Sequence, residues 1–291
     1  MMGAFNDLMN RVTTPTAYSR RMVYLYAIGL IVALQATSLI EAVWGITIST
    51  PLRVAVVVVA SPLLIAAIGV VIYPPPSDPL PAKLWFPNAL ALLLVWAGGY
   101  FLVGIVSSGG PFFSMESEVD ALIPFQPSWV FVYVTVYPFF LFPLFYLDDV
   151  VDLFINDVAQ VCALCIAYTT FILFPVAFPR EPLAEGGFAE WALSIVHAQD
   201  PPWNCFPSTH CTACTVASLS LMRSNWKLSV WAMISTVMIC ISTLMTKQHF
   251  LWDVIAGVVL GIASFTTASL IVRRTSLGAR VRAQASRWVG K

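Results

Sequence analysis

The chain alternates between long apolar runs and short polar, charged or proline-rich stretches. A helix needs about 20 mostly apolar residues to cross a bilayer, whereas a barrel strand shows about 9–11 residues of alternating pattern. Runs of helical length occur at residues 23–42, 54–72, 84–106, 129–147, 158–178, 209–226, 228–246 and 249–272. The pattern therefore predicts an all-α integral membrane protein with about eight transmembrane helices, of which the sixth is the least hydrophobic.

Composition narrows the class of protein further. Of the 291 residues, 59% are apolar and 10% are charged, against about 25% charged residues in a typical soluble domain. The mean hydropathy is +0.82. The 15 Lys and Arg residues equal the 15 Asp and Glu residues, so there is no basic surplus to bind nucleic acid. A soluble enzyme, a nucleic-acid-binding protein and a disordered chain are excluded.

The distribution of cations predicts the orientation in the membrane. With eight spans and a cytoplasmic N-terminus, the outside loops hold Arg53, Arg180 and Lys247, and the other Lys and Arg residues lie inside. This asymmetry is the positive-inside bias of membrane proteins. Both termini are therefore expected in the cytoplasm, and the loops around Arg180 and Lys247 are expected at the extracytoplasmic face.

A stiff, proline-rich stretch at residues 73–83 divides the chain. It predicts an N-terminal part, residues 1–83, with a cytoplasmic segment and two transmembrane helices. Six spans follow in residues 84–272, and residues 273–291 form a basic cytoplasmic tail.

Three further features receive structural interpretations. Cys162-x2-Cys165 and Cys211-x2-Cys214 have the spacing of a zinc site, but both pairs fall in apolar spans and are interpreted as packing residues. A cluster of carboxylates without basic neighbours is interpreted as a solvated helix junction, and comprises Asp148, Asp149, Asp152 and Asp157. Aromatic residues of the fourth span are interpreted as lipid-facing surface and interfacial belt, and comprise Tyr133, Tyr137, Phe139, Phe140, Phe142, Phe145 and Tyr146.

The histidines indicate where chemistry takes place, because ionisable residues at the edge of a membrane are costly. The chain has three, His197, His210 and His249, and all lie outside by this topology. Asp253 follows His249 by four residues, so on a helix both side chains share a face. Such a carboxylate can accept the Nδ1 proton and leave Nε2 as a nucleophile. His197, in the long outer loop, is interpreted as structural.

The segment before the sixth span adds an anion site. Ser208 or Thr209 is expected to cap that helix, whose free N–H groups then point at an anion. Arg180 and Lys247 fall in the two loops that also carry His210 and His249. Together these residues predict transfer of a phosphoryl group.

The segment Phe206-Pro207-Ser208-Thr209-His210, followed about 40 residues later by Ser242-Thr243 and His249-x3-Asp253, resembles the type 2 phosphatidic acid phosphatase superfamily. The resemblance implies a six-helix catalytic core, covering roughly residues 84–272. It also implies His249 as the nucleophile, Asp253 as its orienting carboxylate and His210 as the acid and base. Arg180 stands where the family's phosphate-binding arginine is expected. Ser208, Lys247 and Asn204 complete the predicted phosphate-binding set.

Two positions depart from the phosphatase branch, which has a lysine at the position of Leu173 and an arginine at that of Thr243. In this respect the chain is similar to the inositol phosphorylceramide synthase and sphingomyelin synthase branch. Two cations suit a phosphodiester, with one negative charge, better than a phosphomonoester, with about two. We therefore expect a lipid phosphotransferase that moves a phospho-headgroup from a phospholipid to a lipid hydroxyl through a phosphohistidine.

Two alternatives remain open on the sequence alone. One is a lipid phosphate phosphatase that hydrolyses phosphatidic acid or a related lipid phosphomonoester or pyrophosphate. The other is a transporter, although the mid-membrane regions carry no charge. The expected partners are a phospholipid donor, a lipid or water acceptor and the bilayer, with no nucleic acid, no cofactor and no metal. The sequence leaves open the headgroup, the acceptor, the oligomeric state, the role of the N-terminal helices and the oxidation of Cys205 and Cys211.

Overall fold

The computed structural model describes residues 82–184, 187–222 and 226–289, which are helical and contain no named strand. Four of these helices are long and apolar enough to span a membrane: Pro87–Ser107, Val150–Leu173, Trp226–Met245 and Leu251–Arg274. This confirms the helical, membrane-spanning class. The predicted spans 23–42 and 54–72 lie outside the described residues. The number of eight spans and the division at residue 83 therefore stay predictions.

In chain order the described helices are α1 (Ala82–Leu93), α2 (Gly99–Ser107), α3 (Glu118–Leu122), α4 (Val130–Tyr133), α5 (Val136–Phe139), α6 (Phe142–Tyr146), α7 (Val150–Leu173), α8 (Phe188–Gln199), α9 (Thr209–Leu221), α10 (Trp226–Met245), α11 (Leu251–Arg274) and α12 (Leu277–Val289). A π-helical turn, Leu94–Gly98, joins α1 to α2, and a 3-10 turn, Pro127–Trp129, precedes α4. The third, seventh and eighth predicted spans thus match helices to within a few residues.

The fourth predicted span, 129–147, is a chain of short helices rather than one helix. Pro138 and Pro143 lie within it, and a proline lacks the N–H that a continuous helix needs. The interpretation of its aromatic residues as lipid-facing is wrong for most of them. Tyr133 is fully buried, and so are most of the other described rings; Tyr137, 41% exposed, is the exception. This segment lies in the core because α9 and α10 pack against it.

The fifth predicted span, 158–178, corresponds to α7, which begins at Val150 and ends before Pro175. Asp149 caps the helix, since its carboxylate accepts a hydrogen bond from the Val151 amide at 2.8 Å. The apolar pattern alone places the start too late, because the first turns of α7 carry carboxylates.

The predicted basic tail is largely helical and folds back onto α7. Leu277 and Val281 of α12 pack against the apolar residues at the start of α7. Arg282 pairs with Asp149 at 2.6 Å, and Arg273 pairs with Asp152. The expectation that these carboxylates have no basic partner is therefore wrong. Their partners are more than 100 residues away in sequence, beyond the reach of a local reading.

The short helix α9 occupies the centre of the described bundle, between α7, α10 and α11, and nearly all of its residues are buried. It crosses α11 very closely. A Cβ atom added at Gly257 would lie 2.5 Å from the Ser208 carbonyl oxygen, and one added at Gly261 would lie 2.9 Å from the Thr212 carbonyl oxygen. Only glycine leaves room for such an approach of backbones. The Thr212 hydroxyl also donates to the Gly257 carbonyl at 3.0 Å.

Substitution of Gly257 by alanine tests this crossing. Alanine normally stabilises a helix by about 1 kcal/mol relative to glycine, but here its methyl group meets backbone and forces the helices apart. We expect Gly257→Ala to lower the free energy of unfolding by about 1–3 kcal/mol, the usual cost of overpacking. Thermal unfolding in detergent measures the change. The matched control is Gly98→Ala, since no described atom lies within 4 Å of the added methyl group. Equal stability of the two variants would contradict the account.

Candidate active site

Loops and helix ends at one end of the bundle bring the candidate catalytic side chains together. Arg180 follows the end of α7, Asp200 follows α8, His210 lies in the first turn of α9, and His249 precedes α11. His210 and His249 are each 3% exposed, and Asp253 is fully buried. The site is therefore enclosed, so its polar groups depend on one another for hydrogen bonds.

Asp253 pairs with His249 through the capping turn of α11. Its Oδ2 accepts a hydrogen bond from the Phe250 amide at 2.8 Å and lies 3.5 Å from the His249 Nδ1. The predicted pairing is thus present, but His249 lies before the helix, which begins at Leu251, and not on its face. Burial lowers the pKa of the His249 imidazole, but the nearby Asp253 carboxylate outweighs burial and raises the pKa above its usual value.

The turn between α10 and α11 holds His249 in place. The Thr243 carbonyl accepts hydrogen bonds from the Gln248 amide at 2.9 Å and from the His249 amide at 3.3 Å. Lys247 adopts a left-handed conformation, with φ of 53°. Such a conformation lets the chain reverse tightly between α10 and α11. The position of the imidazole is thus set by backbone contacts as well as by Asp253.

His210 lies directly against His249. Its Nδ1 is 3.3 Å from the His249 Nε2, and its Nε2 is 2.9 Å from the Tyr133 hydroxyl. Ser208 caps α9, as predicted, because its hydroxyl accepts from the Cys211 amide at 3.4 Å. The Ser208 amide in turn donates to the Asp253 carbonyl at 3.0 Å. This last bond joins the start of α9 to the start of α11.

Arg180 reaches the site from the loop after α7. Its guanidinium donates to the Gln248 side-chain oxygen and, at 2.7 Å, to the Asp200 carbonyl. The Asp200 carboxylate lies 3.7 Å from the same guanidinium. The Arg180 Nε is buried without a partner among the described residues. Arg180 therefore stands beside the residue that precedes His249, with a donor left for an anion.

One known protein family is similar to the part of the chain that contains Arg180 and the two histidines. A family model described as the PAP2 superfamily matches residues 175–276. The match supports that superfamily. It spans about a third of the chain and includes every site residue from Arg180 to Asp253. No curated protein and no solved structure matches the chain significantly.

Two residues of the predicted phosphate-binding set have other partners in this structure. The Lys247 ammonium donates to the Asp120 carbonyl at 2.7 Å and lines a separate pocket that also contains Glu116 and Glu181. The Asn204 amide donates to the Tyr100 carbonyl at 3.2 Å and accepts from the Ser107 hydroxyl at 3.2 Å. A phosphate-binding role for these two residues stays a prediction.

Three residues that sequence reasoning missed lie beside the two histidines: Tyr100, Tyr133 and Asp200. The Tyr100 hydroxyl donates to one oxygen of Asp200, and the Tyr133 hydroxyl lies 3.4 Å from the other. Both tyrosines fall inside predicted membrane spans, where they resemble interfacial aromatics. The sequence feature that could have indicated this part of the site is Asp200 itself, because it is a carboxylate followed by two prolines in a chain with few charges.

His197 lies on α8, outside the predicted spans, and is half-buried. Burial lowers the pKa of His197 to about 4, and the positive charge of Arg180 contributes to the shift. This ring is therefore neutral at physiological pH. Its Nε2 has no partner in the described part of the chain.

The cysteines do not form the cluster suggested by their spacing. All six lie in described residues as free thiols; Cys162 and Cys165 are exposed, whereas Cys211 and Cys214 are buried. Cys205 and Cys211 are likewise not joined by a disulfide. Among the described residues, one group has ligand atoms close enough to hold a metal ion, within 4.8 Å of one another, and it comprises Cys205, His249 and Asp253.

A pocket of about 230 Å³ opens beside His210. Its walls are mainly aromatic and apolar, with the acid group of Asp200 at one side, and comprise Trp96, Ala97, Tyr100, Phe101, Tyr137, Gln199, Asp200, Thr209 and His210. The indole N–H of Trp96 is buried without a partner among the described residues. The pocket therefore combines an apolar wall with an unpartnered hydrogen-bond donor near His210.

Proposed function

We propose that the protein is a membrane-embedded lipid phosphotransferase that moves a phospho-headgroup from a phospholipid to a lipid hydroxyl. Similarity to the PAP2 superfamily fits phosphatase or phosphotransferase activity. The observation that carries the proposal is the small number of cations at the site. Within the described part of the chain, Arg180 is the one Lys or Arg whose side chain contacts residues around the two histidines. Its partners there are Gln248 and Asp200.

The two histidines supply the chemistry of the transfer. The His249 Nε2 attacks phosphorus, and a bond from nitrogen to phosphorus forms while the bond to the leaving oxygen breaks. His210 gives a proton to that oxygen and later takes one from the acceptor hydroxyl, which displaces His249 from phosphorus. The two rings are 3.3 Å apart at their nearest nitrogens, so one phosphoryl group can contact both. Asp253 keeps the His249 Nδ1 protonated throughout.

The cation count favours a phosphodiester donor. Lys247, a predicted phosphate ligand, is directed to Asp120. Leu173 and Thr243 occupy the positions where the phosphatase branch carries a lysine and an arginine. Leu173 is 75% exposed, and the buried Thr243 hydroxyl donates to the Cys240 carbonyl at 2.8 Å. A phosphomonoester carries about two negative charges near pH 7, and a single guanidinium neutralises one.

The apolar pocket favours a lipid over water as the acceptor. It touches His210, which must take the acceptor's proton. It also borders Phe101, which belongs to a largely exposed face of α2 that includes Leu102 and Ile105. An alcohol with an acyl or alkyl chain can pass from the bilayer along this face and place its hydroxyl at His210. If water were the acceptor, the reaction would not need an apolar pocket beside His210.

Product analysis with a labelled donor separates transferase from phosphatase. We expect purified protein to consume a phosphodiester lipid faster than phosphatidic acid, and to place the label on added ceramide or diacylglycerol. EDTA should leave turnover unchanged, because Arg180 and helix N–H groups neutralise the phosphate without a metal. His249→Ala protein is the blank.

Three outcomes of that assay contradict the proposal. Release of inorganic phosphate from phosphatidic acid as the main reaction, unaffected by lipid acceptors, identifies a phosphatase. Loss of activity in EDTA, restored by a divalent ion, favours a metal-dependent reaction. Absence of turnover with every donor favours the transporter.

We also propose that both termini lie in the cytoplasm and that the active site lies at the extracytoplasmic face. Arg273 and Arg282 lie at the end of the bundle opposite the histidines, which agrees with the positive-inside bias. Cysteines introduced at Glu185 and Gln284 test the orientation with an impermeant thiol reagent, against the unsubstituted protein as background. In intact cells we expect labelling at residue 185 only. Labelling at residue 284 only would reverse the orientation.

A further inference from the structure

We propose that Tyr133 and Asp200 are positioning residues that fix the tautomer of His210 and so choose which of its nitrogens takes part in the reaction. The inference rests on the proposed function, because it concerns the histidine that acts there as acid and base. It assigns a role to two residues that no sequence motif indicates.

The Tyr133 hydroxyl lies between two groups that can both accept a proton, and it also interacts with the Tyr137 hydroxyl, which can donate to the Tyr133 oxygen. It is 2.9 Å from the His210 Nε2 and 3.4 Å from the Asp200 Oδ2, and Tyr133 is fully buried. An ionised carboxylate can only accept hydrogen bonds, whereas an imidazole nitrogen can do either. The single hydroxyl proton therefore points to Asp200, and the His210 Nε2 must carry a proton that it donates to the Tyr133 oxygen.

The other partners of Asp200 all present donors to its carboxylate. The Arg180 guanidinium lies 3.7 Å from its Oδ2, and the Tyr100 hydroxyl donates to its Oδ1. A charged donor and two hydroxyl donors all stabilise the carboxylate form. The direction of the hydrogen bonds is thus set by Asp200 and runs from His210 through Tyr133 to the carboxylate.

This direction leaves the Nδ1 of His210 as the nitrogen that exchanges protons. The same Nδ1 lies 3.3 Å from the His249 Nε2, which is the atom that bonds to phosphorus in the proposed reaction. The hydrogen bond between these two nitrogens holds one shared proton. In the first step this proton moves onto the His210 Nδ1 as the His249 Nε2 attacks phosphorus, and Nδ1 gives it to the leaving oxygen. In the second step the acceptor's hydroxyl proton passes to Nδ1 while the bond from His249 to phosphorus breaks, and it is again shared with the freed His249 Nε2. The arrangement mirrors that of His249, in which Asp253 holds Nδ1 and leaves Nε2 free. Two carboxylates thus fix opposite tautomers, so that the two reacting nitrogens face each other.

A purely structural role for Asp200 is the competing explanation, because its contacts tie the loop after α8 to α2 and α4. The chain offers a matched pair of variants that separates the two roles. Tyr133→Phe and Tyr100→Phe each remove one hydroxyl from the same carboxylate, but only Tyr133 touches His210. A structural role predicts similar effects of both changes, whereas the positioning role predicts different ones.

The tautomer can be measured directly by nitrogen NMR of protein labelled with ¹⁵N-histidine in detergent micelles. The chain has three histidines, so His210→Gln and His197→Gln assign the signals. At a pH where the His210 ring is neutral, we expect the proton on Nε2 in the wild type and in Tyr100→Phe. In Tyr133→Phe we expect a mixture of tautomers. In Asp200→Asn we expect the Nδ1–H form to increase, because an amide can donate to Tyr133 and reverse the chain of hydrogen bonds.

Two results overturn the proposal: a His210 tautomer in Tyr133→Phe like that of the wild type, or an equal disturbance in Tyr100→Phe. The spectra need no substrate, so their outcome is independent of whether the transferase proposal is correct.

In the transfer assay, we expect Tyr133→Phe to lower kcat by about 10-fold to 100-fold with little change in KM, in line with loss of acid–base catalysis. Tyr100→Phe, which alters the wall of the pocket, should act mainly on KM. A rise in KM with unchanged kcat in Tyr133→Phe would also contradict the proposal.

Discussion

The close crossing of α9 and α11 is the constraint on which the site depends. The backbones approach so nearly that a single methyl group at Gly257 or Gly261 would collide with the carbonyl oxygens of α9. This contact fixes the starts of both helices relative to each other, and the bond from the Ser208 amide to the Asp253 carbonyl reinforces it. One histidine belongs to each start. Their nitrogens can therefore face each other at a fixed distance within a buried site.

Burial of charge is the second constraint. In a chain where 10% of the residues are charged, each carboxylate of the enclosed site has specific donors. Asp253 accepts from the capping turn of its own helix and faces His249. Asp200 is held by two tyrosines from distant helices and by Arg180. The same hydrogen bonds that stabilise these charges also orient the imidazoles, so stability and chemistry depend on shared contacts.

The sequence predicted the features that depend on local spacing. The apolar runs indicated membrane helices, Ser208 was recognised as a cap, and the pairing of His249 with Asp253 followed from four-residue spacing. Features that depend on distant partners were not predicted. Tyr133 and Asp200 are 67 residues apart, and nothing in the local pattern shows that a loop carboxylate contacts a membrane aromatic. In the same way, the pattern could not show that Lys247 is directed to Asp120. The broken fourth span could have been read from its two prolines.

The most direct test of the account is to trap the covalent intermediate. Protein incubated without acceptor lipid, with a phosphodiester lipid carrying ³²P in its phosphate, should become labelled, and mild acid should release the label as expected for phosphohistidine. We predict that the label is absent from His249→Ala and persists in His197→Gln, which changes a histidine outside the cluster. A label that persists in His249→Ala, or an unlabelled wild type that still forms products, would contradict the assignment of His249 as the nucleophile.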